Sequence, residues 1–152
     1  MSIIGTDKIM QVAIIVRDIE TTKKKFADFF EIEPPPHFDG GKYEVTGAEY
    51  MGKPAPKANC FMCFFNIGEG LQLELIQPNG EPSTWQDFLD EKGEGLHHLA
   101  FGVKDMDSKI EICEKKGWKL AQRGKYGDAS GQYAYLDSNK DLKFWLELLE
   151  SF

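Results

Sequence analysis

Long apolar runs are missing from this chain. No stretch approaches the ~18 consecutive apolar residues of a membrane-spanning helix, and no secretory signal opens the sequence. These absences predict a soluble, cytoplasmic protein with no membrane partner. Positive charge is scarce as well: 18 Lys and Arg against 25 Asp and Glu leave a formal net charge of −7. Such a surface favours solubility and argues against nucleic acid as a partner.

Cysteine is too rare for a disulfide scaffold. The three present, Cys60, Cys63 and Cys113, form an odd set. Cys60 and Cys63 have the spacing of a zinc or redox pair, but Cys60-Phe-Met-Cys-Phe-Phe65 reads as an apolar strand. There the two sulfurs point to opposite faces and become buried structural thiols. Histidine is equally sparse, at three residues. What remains is a 152-residue chain with 41% hydrophobic content, enough for one domain with a substantial core.

The most informative feature is repetition. Met10-Gln-Val-Ala-Ile-Ile-Val-Arg-Asp18 is echoed by His97-His-Leu-Ala-Phe-Gly-Val-Lys-Asp105, and Leu71-Gln-Leu-Glu-Leu-Ile-Gln77 by Phe144-Trp-Leu-Glu-Leu-Leu-Glu150. An internal repeat defines the structural unit on which a fold is built. Here it predicts two modules, about 8–77 and 96–150, joined by a linker, 78–95, with a helix of its own from about Thr84 to Lys92. In the first module a strand over 8–16 leads, through Asp18 as N-cap, into a helix ending near Phe30 before Pro34-Pro-Pro36. That helix should bury Ile19, Phe26, Phe29 and Phe30 and leave Lys23, Lys24 and Lys25 in solvent. Strands are expected at 60–66 and 71–77, and a weaker one at 42–45 in a glycine- and proline-broken stretch. The second module repeats the order with a strand at 97–103, a helix over 106–116 and strands at 133–138 and 143–149. Each half reads β-α-β-β-β, an α+β arrangement whose helices cover one sheet face and leave the other free to cup around a cavity.

Alternation along the strands places Gln11, Ala13 and Ile15 opposite Met10, Val12 and Ile14. In the repeat, His98, Ala100 and Gly102 oppose His97, Leu99 and Phe101. Glu74 and Glu147 likewise stand opposite apolar stripes. A carboxylate inside an apolar strand is costly to bury unpaired. Two of them at repeat-related positions call for a cation, so Gln11, Glu74, His98 and Glu147 are the expected metal ligands. Taken singly, Gln11 reads as a polar strand residue, His98 as a core histidine and Glu147 as an edge charge. Together, three oxygens and one nitrogen suit zinc, nickel, cobalt, manganese or iron, with positions left for substrate oxygens. His97, on the other face by alternation, should be structural, and His37 lies outside the pattern.

The repeat resembles the vicinal oxygen chelate superfamily, whose paired βαβββ modules form a cupped mixed sheet around one divalent metal. Within it, Glu74-Leu-Ile-Gln-Pro78, Phe88-Leu89 and Gly93-Glu-Gly-Leu-His-His-Leu-Ala-Phe101 are most similar to methylmalonyl-CoA epimerases. Those enzymes typically carry His at the position of Gln11 and Gln at that of Glu74. The order Gln, Glu, His, Glu is instead similar to glyoxalase I. The resemblance implies proton abstraction next to a carbonyl, with an acyl thioester as the epimerase substrate or a hemithioacetal as the glyoxalase one. It also implies a homodimer. A non-catalytic small-molecule-binding protein of the same fold is the third reading. In the epimerase reading Glu147 is one proton carrier, and the other is expected from Glu44 or Glu49. Phe65, Trp145 and Tyr135 are candidate cavity walls, and Lys53 and Arg123 candidates for an anionic tail.

Overall fold

The computed structural model describes residues 2–152. The first module contains β1 (Ile9–Ile15), α1 (Ile19–Phe30), β2 (Phe38–Asp39), α2 (Tyr43–Thr46), β3 (Glu49–Tyr50), β4 (Lys53–Pro54), β5 (Cys60–Asn66) and β6 (Gln72–Pro78). After α3 (Thr84–Lys92), the second contains β7 (Gly95–Gly102), α4 (Met106–Lys115), β8 (Leu120–Lys125), β9 (Gly131–Leu136), α5 (Asn139–Leu142) and β10 (Trp145–Ser151). All strands join one mixed sheet in the order β2-β5-β6-β1-β7-β10-β9-β8-β3-β4. The order around the central β1–β7 pair is that of two equivalent βαβββ units, the architecture expected from the repeat.

Side-chain caps start α1 and α3. The Asp18 carboxylate accepts from the Thr21 amide at 3.1 Å, and the Ser83 hydroxyl accepts from the Gln86 amide at 3.0 Å. On the outer face, α1 covers Cys63, Phe65, Leu73 and Leu75, while α4 covers Ala134, Leu136, Leu146 and Leu148. The linker helix packs on the opposite, concave face. Its Trp85, Phe88 and Leu89 join Ala13, Ile15, Cys60, Ile76 and Tyr135. One end of the cup is thereby filled with apolar side chains and the other stays open.

Four expectations need correction. Residues 42–45 do not form a strand: Tyr43–Thr46 is one helical turn, closed by Gly47 at φ 54°. The chain then crosses to the far edge of the sheet, where Glu49 pairs with Arg123 and Tyr50 with Gln122. This crossing is a tertiary pairing with no local periodicity to announce it. In α1, Phe29 is 78% exposed whereas Lys23 is only 8% exposed. Lys23 falls on the same stripe as Ile19 and Ala27, and its stem is buried while its amine reaches Glu20 at 3.2 Å and His37 Nδ1 at 3.0 Å. Phe65 lies on the outer face under α1 rather than in the cavity wall. His97, the fourth, lies inside the cup. The three cysteines are free and buried, with Cys60 and Cys63 on opposite faces as alternation requires. Among the described residues no helix is long and apolar enough to cross a membrane.

Candidate metal centre

Strand register brings the repeat-related polar residues together. Across β6, β1, β7 and β10 one row runs Glu74, Ala13, His98, Trp145, and the next runs Gln72, Gln11, Ala100, Glu147. Read from opposite edges, the two rows are copies: Glu74 matches Glu147, Ala13 matches Ala100, and His98 matches Gln11. The alanines between the polar residues leave open volume at the centre. Two slips in the β1–β7 ladder, one at Met10 and one at His97, flank these rows symmetrically. Each slip inserts an extra residue beside a candidate ligand, as β-bulges do where a side chain must be re-aimed. The bulge turns His97 to the concave side, against the simple alternation rule.

Glu74, His98 and Glu147 are all buried, and one potential ligand atom from each lies within 4.8 Å of the others. His98 Nε2 is 2.8 Å from Glu147 Oε2 and 3.9 Å from Glu74 Oε2. Beyond this mutual contact, neither His98 Nε2 nor Glu147 Oε2 has a hydrogen-bond partner. Two buried polar atoms whose only partner is each other fit a shared cation, since buried polar groups left short of partners carry a desolvation cost. Gln11 donates its Nε2 to Gln72 Oε1 at 3.0 Å, which leaves its own amide oxygen free. Two carboxylates, one imidazole and one amide oxygen would nearly neutralise a divalent ion and suit zinc, nickel, cobalt or manganese.

The electrostatics agree with a centre built for positive charge. Burial, opposed by His98 and reinforced by Glu147, raises the Glu74 carboxyl to about 8. Burial works to lower the His98 pKa, but the negative charge and side-chain contact of Glu147, with the charge of Glu74, more than offset it and the net shift is upward. His97 moves the other way: burial, with His98 adding to it, holds it well below its ordinary value.

A cavity of about 730 Å³ opens above this centre, lined by Gln11, Glu74 and Glu147 and walled by Met62, Phe64, Trp85, Tyr133 and Tyr135. The Trp85 indole donates to the Tyr135 hydroxyl at 3.0 Å, which locks the wall to the linker helix. At the mouth, Gly41 and Gly127 meet so closely that a Cβ on Gly41 would stand 2.6 Å from the Gly127 Cα. Loops from the two modules therefore touch beside the cavity that both line.

Glu44 and Glu49 are not brought to the centre. Both are exposed and neither lines the cavity, because Glu44 sits on the α2 turn and Glu49 on the edge strand β3. Arg123 is engaged by Asp107 at 3.1 Å and Gln132 at 3.2 Å, and Lys53 is exposed on β4. Lys125, not singled out by the sequence, is the cation that lines the cavity. Trp145 faces inward but stacks on His97 at 6.0 Å. Tyr126 is likewise unmarked by any sequence pattern; its phenol lines the cavity, and its pKa is raised by burial with Glu147 and Glu74 adding to the effect. Tyr133 had an available signal, since it shares a strand face with Tyr135.

Residues 10–135 match the family model described as the Glyoxalase/Bleomycin resistance protein/Dioxygenase superfamily. The chain belongs to this superfamily. Among solved structures with the same fold, methylmalonyl-CoA epimerase from Mycobacterium tuberculosis aligns with a TM-score of 0.68 at 20% identity, covering 100% of this chain and 93% of that one. A variant of the Streptomyces coelicolor methylmalonyl-CoA epimerase, in complex with 2-nitronate-propionyl-CoA, gives 0.64 at 23% identity, covering 97% and 99%. At such identities the likeness concerns the fold. The uncharacterized protein YqjC of Bacillus subtilis (strain 168) is 30% identical over 90 residues, 59% of this chain. That match spans 64% of the length of the relative.

Proposed function

We propose that this chain is a metal-dependent isomerase of the epimerase type, acting on an acyl thioester by moving a proton at the carbon next to the carbonyl. The observation that carries the reading is the buried cluster of Glu74, His98 and Glu147, whose potential ligand atoms lie within 4.8 Å of one another beside a cavity lined by Glu74 and Glu147. Gln11, Glu74, His98 and Glu147 would hold the ion. When bound, a divalent ion supplies Lewis-acid stabilisation of negative charge on the carbonyl oxygen.

Glu147 takes the proton from the carbon, whose C–H electron pair moves into the adjacent carbonyl. Glu74 flanks His98 from the opposite side of the register; with its carboxyl raised to about 8 it starts protonated, donates that proton to the other face and is left as a carboxylate while Glu147 holds the proton it took. Glu74 takes this second role because Glu44 and Glu49 stand outside the cavity. The Tyr126 phenol, kept protonated, is a hydrogen-bond donor on the cavity wall. Trp85, Phe64 and Tyr135 exclude water from the reacting carbon.

The presence of two central carboxylates also supports a second reading, a glyoxalase I-type lyase acting on a hemithioacetal through the same proton transfer. The test begins with metal content of protein purified without added metal, followed by loading with zinc, nickel, cobalt or manganese. Deuterium uptake at the branched carbon of a 2-methyl acyl-CoA is then followed beside hemithioacetal conversion. We expect one ion per chain and thioester exchange that falls about 10²–10⁴-fold in Glu147→Gln, the usual contribution of a general base. Failure to take up any of the four metals overturns both enzyme readings. Hemithioacetal turnover without thioester exchange selects the lyase.

A further inference from the structure

His97 and His98 are neighbours in a strand, yet both rings are buried on the concave side because His97 is the extra residue of the bulge between Ala13↔His98 and Ile14↔Leu96. The consequence is a contact that an unbroken strand forbids: His97 Nδ1 lies 2.9 Å from His98 Nδ1. At that distance one nitrogen donates and the other accepts.

The surroundings decide the direction. His98 Nε2 faces the carboxylates of Glu147 and Glu74, so it needs a free lone pair to bind a cation. A neutral His98 with a lone pair on Nε2 carries its proton on Nδ1, and that proton points to His97. The His97 ring has little freedom to turn away. It stacks on Trp145 at 6.0 Å and meets Phe88 and Tyr135 edge-on at 5.3 Å and 5.4 Å. No ion pair with a carboxylate reaches it among the described residues, so the ring is held as a neutral acceptor, with its own proton on the buried Nε2.

We propose that His97 is a positioning residue: by accepting from His98 Nδ1 it fixes the tautomer and ring plane of His98 and selects Nε2 as the metal-binding atom. The inference rests on the metal-centre reading above. It also gives the bulge a purpose, since without the extra residue His97 would face the helices on the outer side.

The test uses the full chain as wild type, His97→Phe and His97→Asn, each loaded with zinc. Affinity is read by competition with a chromophoric chelator, and the His98 tautomer from long-range proton–nitrogen spectra of histidine-labelled protein. Phe keeps an aromatic ring but removes the acceptor; Asn offers an amide oxygen near the position of Nδ1. We expect His98 in the wild type to carry its proton on Nδ1. Zinc affinity should fall about 10–100-fold in His97→Phe, the usual effect of losing a partner of a ligating histidine, and recover at least partly in His97→Asn. Affinity in a folded His97→Phe within threefold of wild type overturns the proposal, as does equal loss in both variants at matched melting temperatures. If His97→Phe fails to fold, the wild-type spectrum decides, because a proton on His98 Nε2 in the loaded protein overturns it. A wild type that takes up no zinc, nickel, cobalt or manganese removes the metal reading itself, whereas uptake with unaltered variant affinity removes only the role of His97.

Discussion

The two halves of the candidate metal centre have the same strand register and opposite surroundings. Gln11 and His98 occupy equivalent positions, each next to an alanine and each preceded by a bulged residue. Around Gln11 the bulged residue is Met10, which is 40% exposed, and the amide is held by Gln72 at the cavity surface. Around His98 the bulged residue is His97, fully buried beneath α3. The linker helix has no counterpart in the repeat, and its one-sided docking makes the difference. Duplication creates a doubled set of candidate ligand positions, and the unpaired helix packs one side with apolar side chains while the other stays open to the cavity.

If that asymmetry is functional, the two equivalent ligands should not contribute equally. His98→Ala is expected to lower zinc affinity at least about 100-fold, beyond the effect of losing an outer partner, and Gln11→Ala only about 10-fold. Equal losses, measured by chelator competition, would mean that backbone symmetry outweighs the difference in surroundings.

The glutamates offer a second comparison, because Glu74 is raised to about 8 from an ordinary 4.5. The folded metal-free chain holds that proton more tightly than the unfolded chain does. Its contribution to stability is therefore complete below about pH 4.5 and is lost as pH rises through about 8. Denaturation of the metal-free protein should show stability falling across that window, by at most about 1.4 kcal/mol per pH unit from this group. Glu74→Gln should flatten the slope. A slope unchanged by the substitution would show that Glu74 is not the group responsible.

The smallest effect concerns the helix that separates the two sides. Ser83→Ala removes the side-chain cap of α3 and should cost about 1 kcal/mol, a drop of about 2–4 °C in melting temperature. Tryptophan fluorescence should report loosening near Trp85. An unchanged melting temperature would show that the apolar contacts of Trp85, Phe88 and Leu89 hold the closed end without the cap.

Much of this arrangement is legible in the order of residues alone. The repeat matches Glu74 with Glu147 and Gln11 with His98, and the expense of burying two carboxylates in apolar strands points to a common centre. The start of α1 is readable from Asp18 because capping is local chemistry. Glu44 and Glu49 are misplaced by such reasoning for the converse cause. Their segment is organised by pairing with β8, a partner more than 70 residues away, and nothing in the local pattern indicates whether they reach the cavity. Lys23 misleads for a related reason, since its charge suggests solvent while its helical position, four residues from both Ile19 and Ala27, places its stem in the packed stripe.

From the sequence by itself come the doubled module, the alternation that sorts polar from apolar faces, and the identity of four side chains able to hold a cation. Each follows from short-range periodicity and chemical type. Tertiary structure alone decided that α3 plugs one end of the cup, that the β3–β4 strands cross to the other module, and that a bulge turns His97 toward His98. These depend on contacts between distant segments, and a one-residue slip in a strand pair reverses the face on which a side chain lies.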